Sequence, residues 1–234
     1  MKALLLAAGL GTRLSPITDT TPKCLVPING KPLLEYWLEN LTEVGVDEIL
    51  INTSYLSEQV EEFIKNSKYS DKVTLVHEDK LLNTGGTLLA NKEFFNDECF
   101  MLVHADNLSF CDFNAFINAH KNRPKRCEIT MMTFITDNPK SCGVIKKDND
   151  GVVTAFYEKV QNPPTNLANG AVYIFEPSIF NFLENLEKIK IDLSAEVIPS
   201  FIGKINTFHN SLYHRDIGSV ESFAIAQLEV LEYV

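Results

Sequence analysis

In the segment Lys2 to Ala8 every residue after the lysine is apolar, and the run stops at Gly9, the pattern of a strand buried on both faces of a parallel sheet. After a turn at Gly30, residues Leu33, Leu34, Trp37, Leu38 and Leu41 recur at helical spacing, which predicts an amphipathic helix over 32–44. Residues 48–52 read as a second strand. Ser57 is the expected cap of a helix with Val60, Phe63 and Ile64 on one face. A third strand follows over 72–76, then a helix with a glycine-rich start over 85–95. A fourth strand over 99–103 ends at His104-Ala105-Asp106, and Asp112 caps the next helix.

This alternation of strand and helix predicts an α/β fold with a Rossmann-like, doubly wound, mostly parallel sheet. Ligands of such sheets sit at the carboxyl ends of the strands. Two polar segments, 9–13 and 104–107, fall at those ends. After Arg126 the texture changes. Strand-like runs cover 128–136, 143–147, 152–157 and 171–175, with Asp148-Asn149-Asp150-Gly151 as a hairpin turn. Helices are expected over 178–186, 193–201 and 220–233. No Ser/Gly/Pro linker separates the two textures, so 1–234 is read as one domain. A nucleotide-binding half covers about 1–126, and a β-rich half covers about 127–234.

Composition narrows the field. An apolar fraction of 45% in 234 residues supports a sizeable core. The formal charge of −10 argues against a nonspecific nucleic-acid binder. It leaves room for a phosphate ligand, which needs only a few local cations and N–H groups. Five cysteines without a CxxC pair read as free thiols of a reducing, cytoplasmic setting. Cys99 and Cys127 are expected to be small buried hydrophobes. The apolar start is too short for a secretory leader and runs straight into Gly9-Leu10-Gly11-Thr12-Arg13. No other segment is apolar enough to span a membrane.

The strongest chemical signal is Leu6-Ala7-Ala8-Gly9-Leu10-Gly11-Thr12-Arg13-Leu14, followed by Pro22-Lys23. Glycines at a strand end let backbone N–H groups approach a phosphate. Arg13 adds a forked donor and Lys23 a point charge. The loop is not a dinucleotide fingerprint, whose third glycine would stand at Leu14. It also lacks the Gly-Lys-Ser/Thr ending of a Walker A loop. The segment resembles the signature of the sugar-phosphate nucleotidyltransferases (NDP-sugar pyrophosphorylases). The likeness continues through Asn83-Thr84-Gly85-Gly86, His104-Ala105-Asp106-Asn107, Cys142-Gly143-Val144, Glu158-Lys159, Asn169-Gly170-Ala171-Val172-Tyr173 and Asp216-Ile217-Gly218.

The resemblance implies a GT-A-like fold with a β-rich sugar-binding lobe, and an Mg²⁺-dependent reaction joining an NTP to a sugar 1-phosphate. Leu6, Ala7, Ala8, Gly9, Gly11, Thr12, Arg13, Lys23, Glu78, Thr84 and Gly85 would bind the nucleotide. Asn107, Gly143, Glu158, Lys159 and Asn169 would bind the sugar phosphate. Asp106 and Asp216 would hold Mg²⁺, and Arg13, Lys23 and Asp106 are the candidate catalytic residues. Glu78, an acceptor when ionised, suits the two adjacent donors of guanine and favours GTP. No hexapeptide repeats of the kind found in longer relatives occur here. The chain resembles short forms that make GDP-mannose or GDP-heptose, and a short uridylyltransferase acting on an amino-sugar phosphate. A uridylyl- or cytidylyltransferase remains an alternative. So does a non-catalytic nucleotide-sugar sensor, which retention of Arg13, Lys23, Asp106 and Asp216 disfavours. The partners expected are an NTP and a sugar 1-phosphate, with neither nucleic acid nor membrane, and homo-oligomerisation is left open. Asn83, Cys24 and His104-Ala105 depart from the family pattern, and none of these departures removes a charged group.

Overall fold

Most of the strands and helices that the sequence pattern predicts are present, although the helix expected over 85–95 runs from Asn83 to Ala90 and gives way to a 3-10 turn at Lys92–Phe95, and a computed structural model describes residues 1–233. Along the chain run β1 (Lys2–Leu6), β2 (Pro27–Ile28), β3 (Lys31–Pro32), α1 (Leu33–Glu43), β4 (Glu48–Thr53), α2 (Ser57–Lys65) and β5 (Val73–His77). Then come α3 (Asn83–Ala90), β6 (Phe100–His104), β7 (Asn107–Phe110), α4 (Phe113–Lys121), β8 (Ile129–Ile135), β9 (Gly143–Lys147) and β10 (Val153–Glu158). The chain closes with β11 (Leu167–Phe175), α5 (Ile179–Asn185), β12 (Ile205–His209), β13 (Tyr213–Asp216) and α6 (Val220–Glu229). It divides into two compact units. The first comprises Met1–Leu81, Val103–Cys111 and Leu212–Val234, and the second Leu82–Leu102 and Asp112–Ser211.

In the first unit β1 pairs in parallel with β4, and β4 with β5. The predicted parallel α/β arrangement holds here. Its strands read as continuous Leu/Ile/Val runs because both faces are covered: Leu4, Leu5, Ile49 and Ile51 are fully buried. Helix α1 buries Leu33, Leu34, Trp37, Leu38 and Leu41, the stripe that its spacing predicts. A two-stranded antiparallel ladder of β7 with β13 was not apparent in the sequence. Its register sets Asp216 opposite Asn107. A cluster of Leu14, Val26, Ile28, Leu33, Leu108, Ile217, Ala226 and Val230 packs beneath this ladder.

The second unit is β-rich, as expected after Arg126. Strand β11 pairs antiparallel with β8, and β12 joins β8 in parallel. The β9–β10 hairpin turns as predicted. Asp148 Oδ1 accepts from the N–H groups of Asp150 (3.0 Å) and Val152 (2.8 Å). The Phe100 ring lies 4.2 Å from Phe95, 5.7 Å from Phe175 and 5.4 Å from Phe180.

Three local expectations need correction. Helix α2 is entered through Leu56 in the left-handed region (φ 52°), and Ser57 is its first helical residue, not its cap. The stretch 193–201 forms a single π turn and a 3-10 turn in place of one α-helix, because Pro199 lacks the N–H that an α-helix would use. Cys127 is buried but Cys99 only partly so, and all five thiols are free. Asp112 caps α4 as expected, accepting from Ala115 N (2.8 Å), and Asp192 caps the π turn in the same way, accepting from Ala195 N (2.9 Å). Among the described residues no helix is long and apolar enough to cross a membrane.

Candidate active site

In the first unit β1 stops at Leu6 because the next N–H leaves the ladder. Ala7 N donates instead to the side chain of Asn52, at 2.8 Å. The loop that follows is fixed from behind. Thr18 Oγ1 donates to Gly11 O (2.8 Å), and Tyr55 OH donates to Asp19 O (2.9 Å). Gly11 has φ +66°, and a Cβ there would stand 2.8 Å from Thr18 Cγ2, so glycine is required by backbone and packing together. Gly9 differs. A Cβ at position 9 meets no protein atom within 4 Å, and Gly9 and Leu10 are exposed. Leu14 is fully buried in the core, which anchors the exposed Arg13 beside it.

Lys23 opens a short 3-10 turn whose Cys24 and Val26 are buried. Its Nζ lies 2.6 Å from Asp106 Oδ2 and 3.8 Å from Asp216 Oδ1. Asp106 and Asp216, 110 positions apart in the chain, therefore flank one ammonium. The β7–β13 ladder brings them there, aided by Ile217 N donating to Asp106 O at 3.0 Å. Trp37 Nε1 holds the same strand from below, donating to Asn107 O at 2.6 Å. Arg13 joins this group at Gly218. A Cβ on Gly218 would stand 2.6 Å from Asp216 Oδ2 and 3.0 Å from Arg13 Nη2. Burial alone would raise the Asp106 carboxyl. The Lys23 charge, His104 and the Lys23 hydrogen bond outweigh it and hold the group below the usual aspartate range, ionised at neutral pH. Burial pushes the Cys24 thiol up to about 12, so it stays protonated and is no nucleophile.

Glu78, a candidate base reader, is buried at the end of β5. Its N–H donates to Thr53 O (2.8 Å), and its Oε1 accepts from Asn52 Nδ2 (3.0 Å). Asn107, the remaining candidate of this unit, is 5% exposed and donates from Nδ2 to His104 O at 3.4 Å.

Thr84, Gly85, Gly143, Glu158, Lys159 and Asn169 belong to the second unit. The Thr84 hydroxyl accepts from Leu193 N (2.9 Å), and Gly85 N donates to Ile191 O (2.8 Å). A Cβ on Gly86 would stand 2.4 Å from Ile189 O. Gly143 lies beneath the Glu158 carboxylate, where a Cβ would be 2.5 Å from Glu158 Oε2. Lys159 is exposed and in the left-handed region (φ 48°), with Nζ 3.3 Å from Glu158 Oε1. Asn169 donates from Nδ2 to Tyr173 OH (2.6 Å), while its Oδ1 accepts from Ala171 N (3.0 Å).

A family model described as nucleotidyl transferase matches residues 2–232. The chain belongs to the nucleotidyl transferase family. UTP–glucose-1-phosphate uridylyltransferase of Synechocystis is 32% identical over 216 residues, which is 86% of this chain and 55% of that protein. The catalytic subunit beta of mannose-1-phosphate guanylyltransferase from Drosophila pseudoobscura is 32% identical over 228 residues, 95% of this chain and 60% of that protein. The crystal structure of HddC from Yersinia pseudotuberculosis complexed with GMP-PN matches with a TM-score of 0.81 at 25% identity, covering 97% of this chain and 98% of that one. The chain thus spans between half and two thirds of the length of these two curated relatives, and nearly all of HddC. The fold is the GT-A-like one of nucleotidyltransferases.

In this member of the nucleotidyl transferase family the donor set at 106 and 216 can be judged on its chemistry. Two carboxylates with hard oxygen donors suit Mg²⁺, which keeps several waters and takes its other ligands from substrate phosphates. No cluster of three or more His, Cys, Asp or Glu side chains that could hold a metal ion occurs among the described residues, so an ion at Asp106 and Asp216 would take its remaining ligands from water and substrate phosphate. Asn52 escaped the sequence reading. The available signal was a polar residue directly after the apolar run Ile49-Leu50-Ile51, near the carboxyl end of its strand, as Gly9 and Asp106 lie just beyond the ends of theirs.

Proposed function

We propose that the protein condenses an NTP, with GTP favoured, and a sugar 1-phosphate, with mannose or a heptose favoured, to give an NDP-sugar and pyrophosphate. The observation that carries this reading is the convergence of Arg13, Lys23, Asp106 and Asp216 in one unit, next to the loop that exposes Gly9 and Leu10. A sugar-phosphate oxygen attacks the α-phosphorus in line. The new P–O bond forms as the bond to the β-phosphate oxygen breaks, and pyrophosphate leaves with the electron pair. The nucleophile is already an anion, so no general base is required. Positioning and charge neutralisation supply the rate.

Backbone N–H groups of 9–12 and the Arg13 fork hold the triphosphate, and Lys23 offsets charge on the reacting phosphate. Glu158 and Lys159 bind sugar and phosphate. Asp106 and Asp216 would hold a Mg²⁺ ion, which when bound neutralises phosphate charge that the carboxylates would otherwise repel. Ala7, Ala8 and Glu78 are the base contacts assigned to the first unit, and the backbone of Thr84 and Gly85 is the base contact assigned to the second. GTP is supported by the acceptor character of Glu78, by the guanylyltransferase relative and by the guanine nucleotide held by HddC. The equal likeness to a uridylyltransferase makes UTP the second reading.

Pyrophosphate release, measured with four NTPs against mannose, heptose, glucose and N-acetylamino-sugar 1-phosphates, with and without Mg²⁺, tests both. GTP with mannose or heptose 1-phosphate is the combination expected to turn over fastest. Arg13→Ala and Asp106→Ala should each lose about two to three decades in rate. Either variant keeping more than roughly a tenth of the activity overturns the assignment.

A further inference from the structure

Asn52 stands at the end of β4, 4% exposed, paired between β1 and β5. Its amide has two chemically different ends, and the surroundings decide which faces where. Ala7 N–H can only donate, so Asn52 Oδ1 must face it, at 2.8 Å. The amide nitrogen is thereby turned towards Glu78 Oε1, at 3.0 Å. The main chain of Glu78 is held as well, its N–H by Thr53 O and its carbonyl by Ser54 Oγ at 2.9 Å. We propose that Asn52 is a positioning residue that sets base preference. Oriented by the Ala7 N–H, it locks the Glu78 carboxylate as a fixed acceptor for adjacent donors on the pairing edge of a purine.

This rests on the guanine reading above. A carboxylate meets N1–H and the exocyclic N2–H of guanine in a two-point, in-plane contact, and a rotated carboxylate keeps only one of them. Asn52 links the start of the phosphate loop to the reader of the base, and its role runs through Glu78.

The experiment compares kcat/KM for GTP with that for ITP, which keeps N1–H and lacks the N2 amino group. Their ratio is independent of how much of a preparation is folded. The wild type should favour GTP by roughly tenfold or more, the worth of one charge-assisted hydrogen bond. In Asn52→Asp an oxygen still accepts from Ala7 N–H, but the donor to Glu78 is gone. In Asn52→Ala both contacts go. The ratio should fall to within about threefold of unity in both variants, since one charge-assisted bond is what separates the two nucleotides. If Asn52→Asp keeps the wild-type ratio, Asn52 serves only the Ala7 turn and the proposal is overturned. A wild type that favours UTP, or that does not separate GTP from ITP, overturns the base reading itself and this proposal with it. That failure is visible before any variant is made.

Discussion

Two glycine-bearing segments of this protein look alike as sequence and differ as structure. At Gly9–Arg13 the loop is pinned from behind, while a Cβ on Gly9 would face open space. At Asn83–Gly86 the two glycines and their N–H groups are taken up inside the protein. Gly85 N and Gly86 N both donate to Ile191 O, Thr84 accepts from Leu193 N, and Gly86 fits against Ile189 O. A glycine that no neighbour or backbone angle requires points to a ligand. A glycine enclosed by backbone is explained by packing, whatever else it does. The same distinction separates Gly218, whose missing Cβ leaves room for the side-chain ends of Asp216 and Arg13, from Gly86, which faces a backbone carbonyl.

The largest effect that tests this contrast is on rate. Gly218→Ala displaces the Asp216 carboxylate and the Arg13 guanidinium, which are the far ends of flexible side chains and not backbone, so the fold tolerates it. Misplacing two charges by about an ångström should cost roughly 100-fold in kcat. The melting temperature should stay within about 3 °C, since flexible side-chain ends relieve the clash for a fraction of a kcal/mol. Full activity in this variant would mean that the cluster at Lys23 does not act on the reaction.

Gly86→Ala reverses the pattern. Its Cβ meets backbone at 2.4 Å, and helix α3 must shift against the 189–191 segment. Overpacking of this kind should cost about 3 kcal/mol in urea denaturation. An unchanged midpoint would show that the segment yields, and that packing does not explain this glycine.

Much of this could be read from the chain, for physical reasons that also mark where reading fails. The apolar runs of β1, β4 and β6 and the stripe of α1 carry their period openly, so the parallel half was predictable, and so was the placement of polar residues at its strand ends. The β7–β13 ladder was not. Asn107-Leu108-Ser109-Phe110 and Tyr213-His214-Arg215-Asp216 are four residues each, too short and too polar to show a period. Their pairing, which joins the two carboxylates, spans about a hundred residues. Leu56 in the left-handed region hid the true start of α2 behind a serine that looks like a cap. Asn52 was hidden because its partners, Ala7 and Glu78, lie 45 and 26 positions away.

Acid separates the two units in another way. In the first, Asp106 is held ionised. In the second, His120 is held neutral, with Nε2–H donating to Glu176 Oε1 (3.0 Å) and Nδ1 accepting from Thr130 Oγ1 (2.9 Å). Burial, with the Arg123 charge, lowers His120 to about 4 against the pull of Glu176. The unfolded chain takes up that proton near pH 6.5 and the folded one resists it. Stability is therefore intact above 6.5 and falls as pH drops from 6.5 towards 4, by about 2 kcal/mol at pH 5 for this group. Denaturation of the wild type and His120→Asn at pH 7 and pH 5 measures it. The variant should lose that share of the slope, and equal slopes would remove His120 from the acid response.

The smallest effect decides what Thr84 does. Its hydroxyl accepts from Leu193 N at 2.9 Å, and valine keeps the side-chain shape while removing the acceptor. Thr84→Val should therefore cost about 1 kcal/mol of stability, the ordinary penalty for leaving one backbone donor without its partner. The base contact assigned to this position runs through the backbone, so KM for GTP should move less than about threefold, below the worth of one neutral hydrogen bond. A tenfold rise in KM with no loss of stability would place the hydroxyl on the nucleotide. The 83–86 segment would then be a ligand loop of the same kind as 9–13, and the contrast between them would no longer hold.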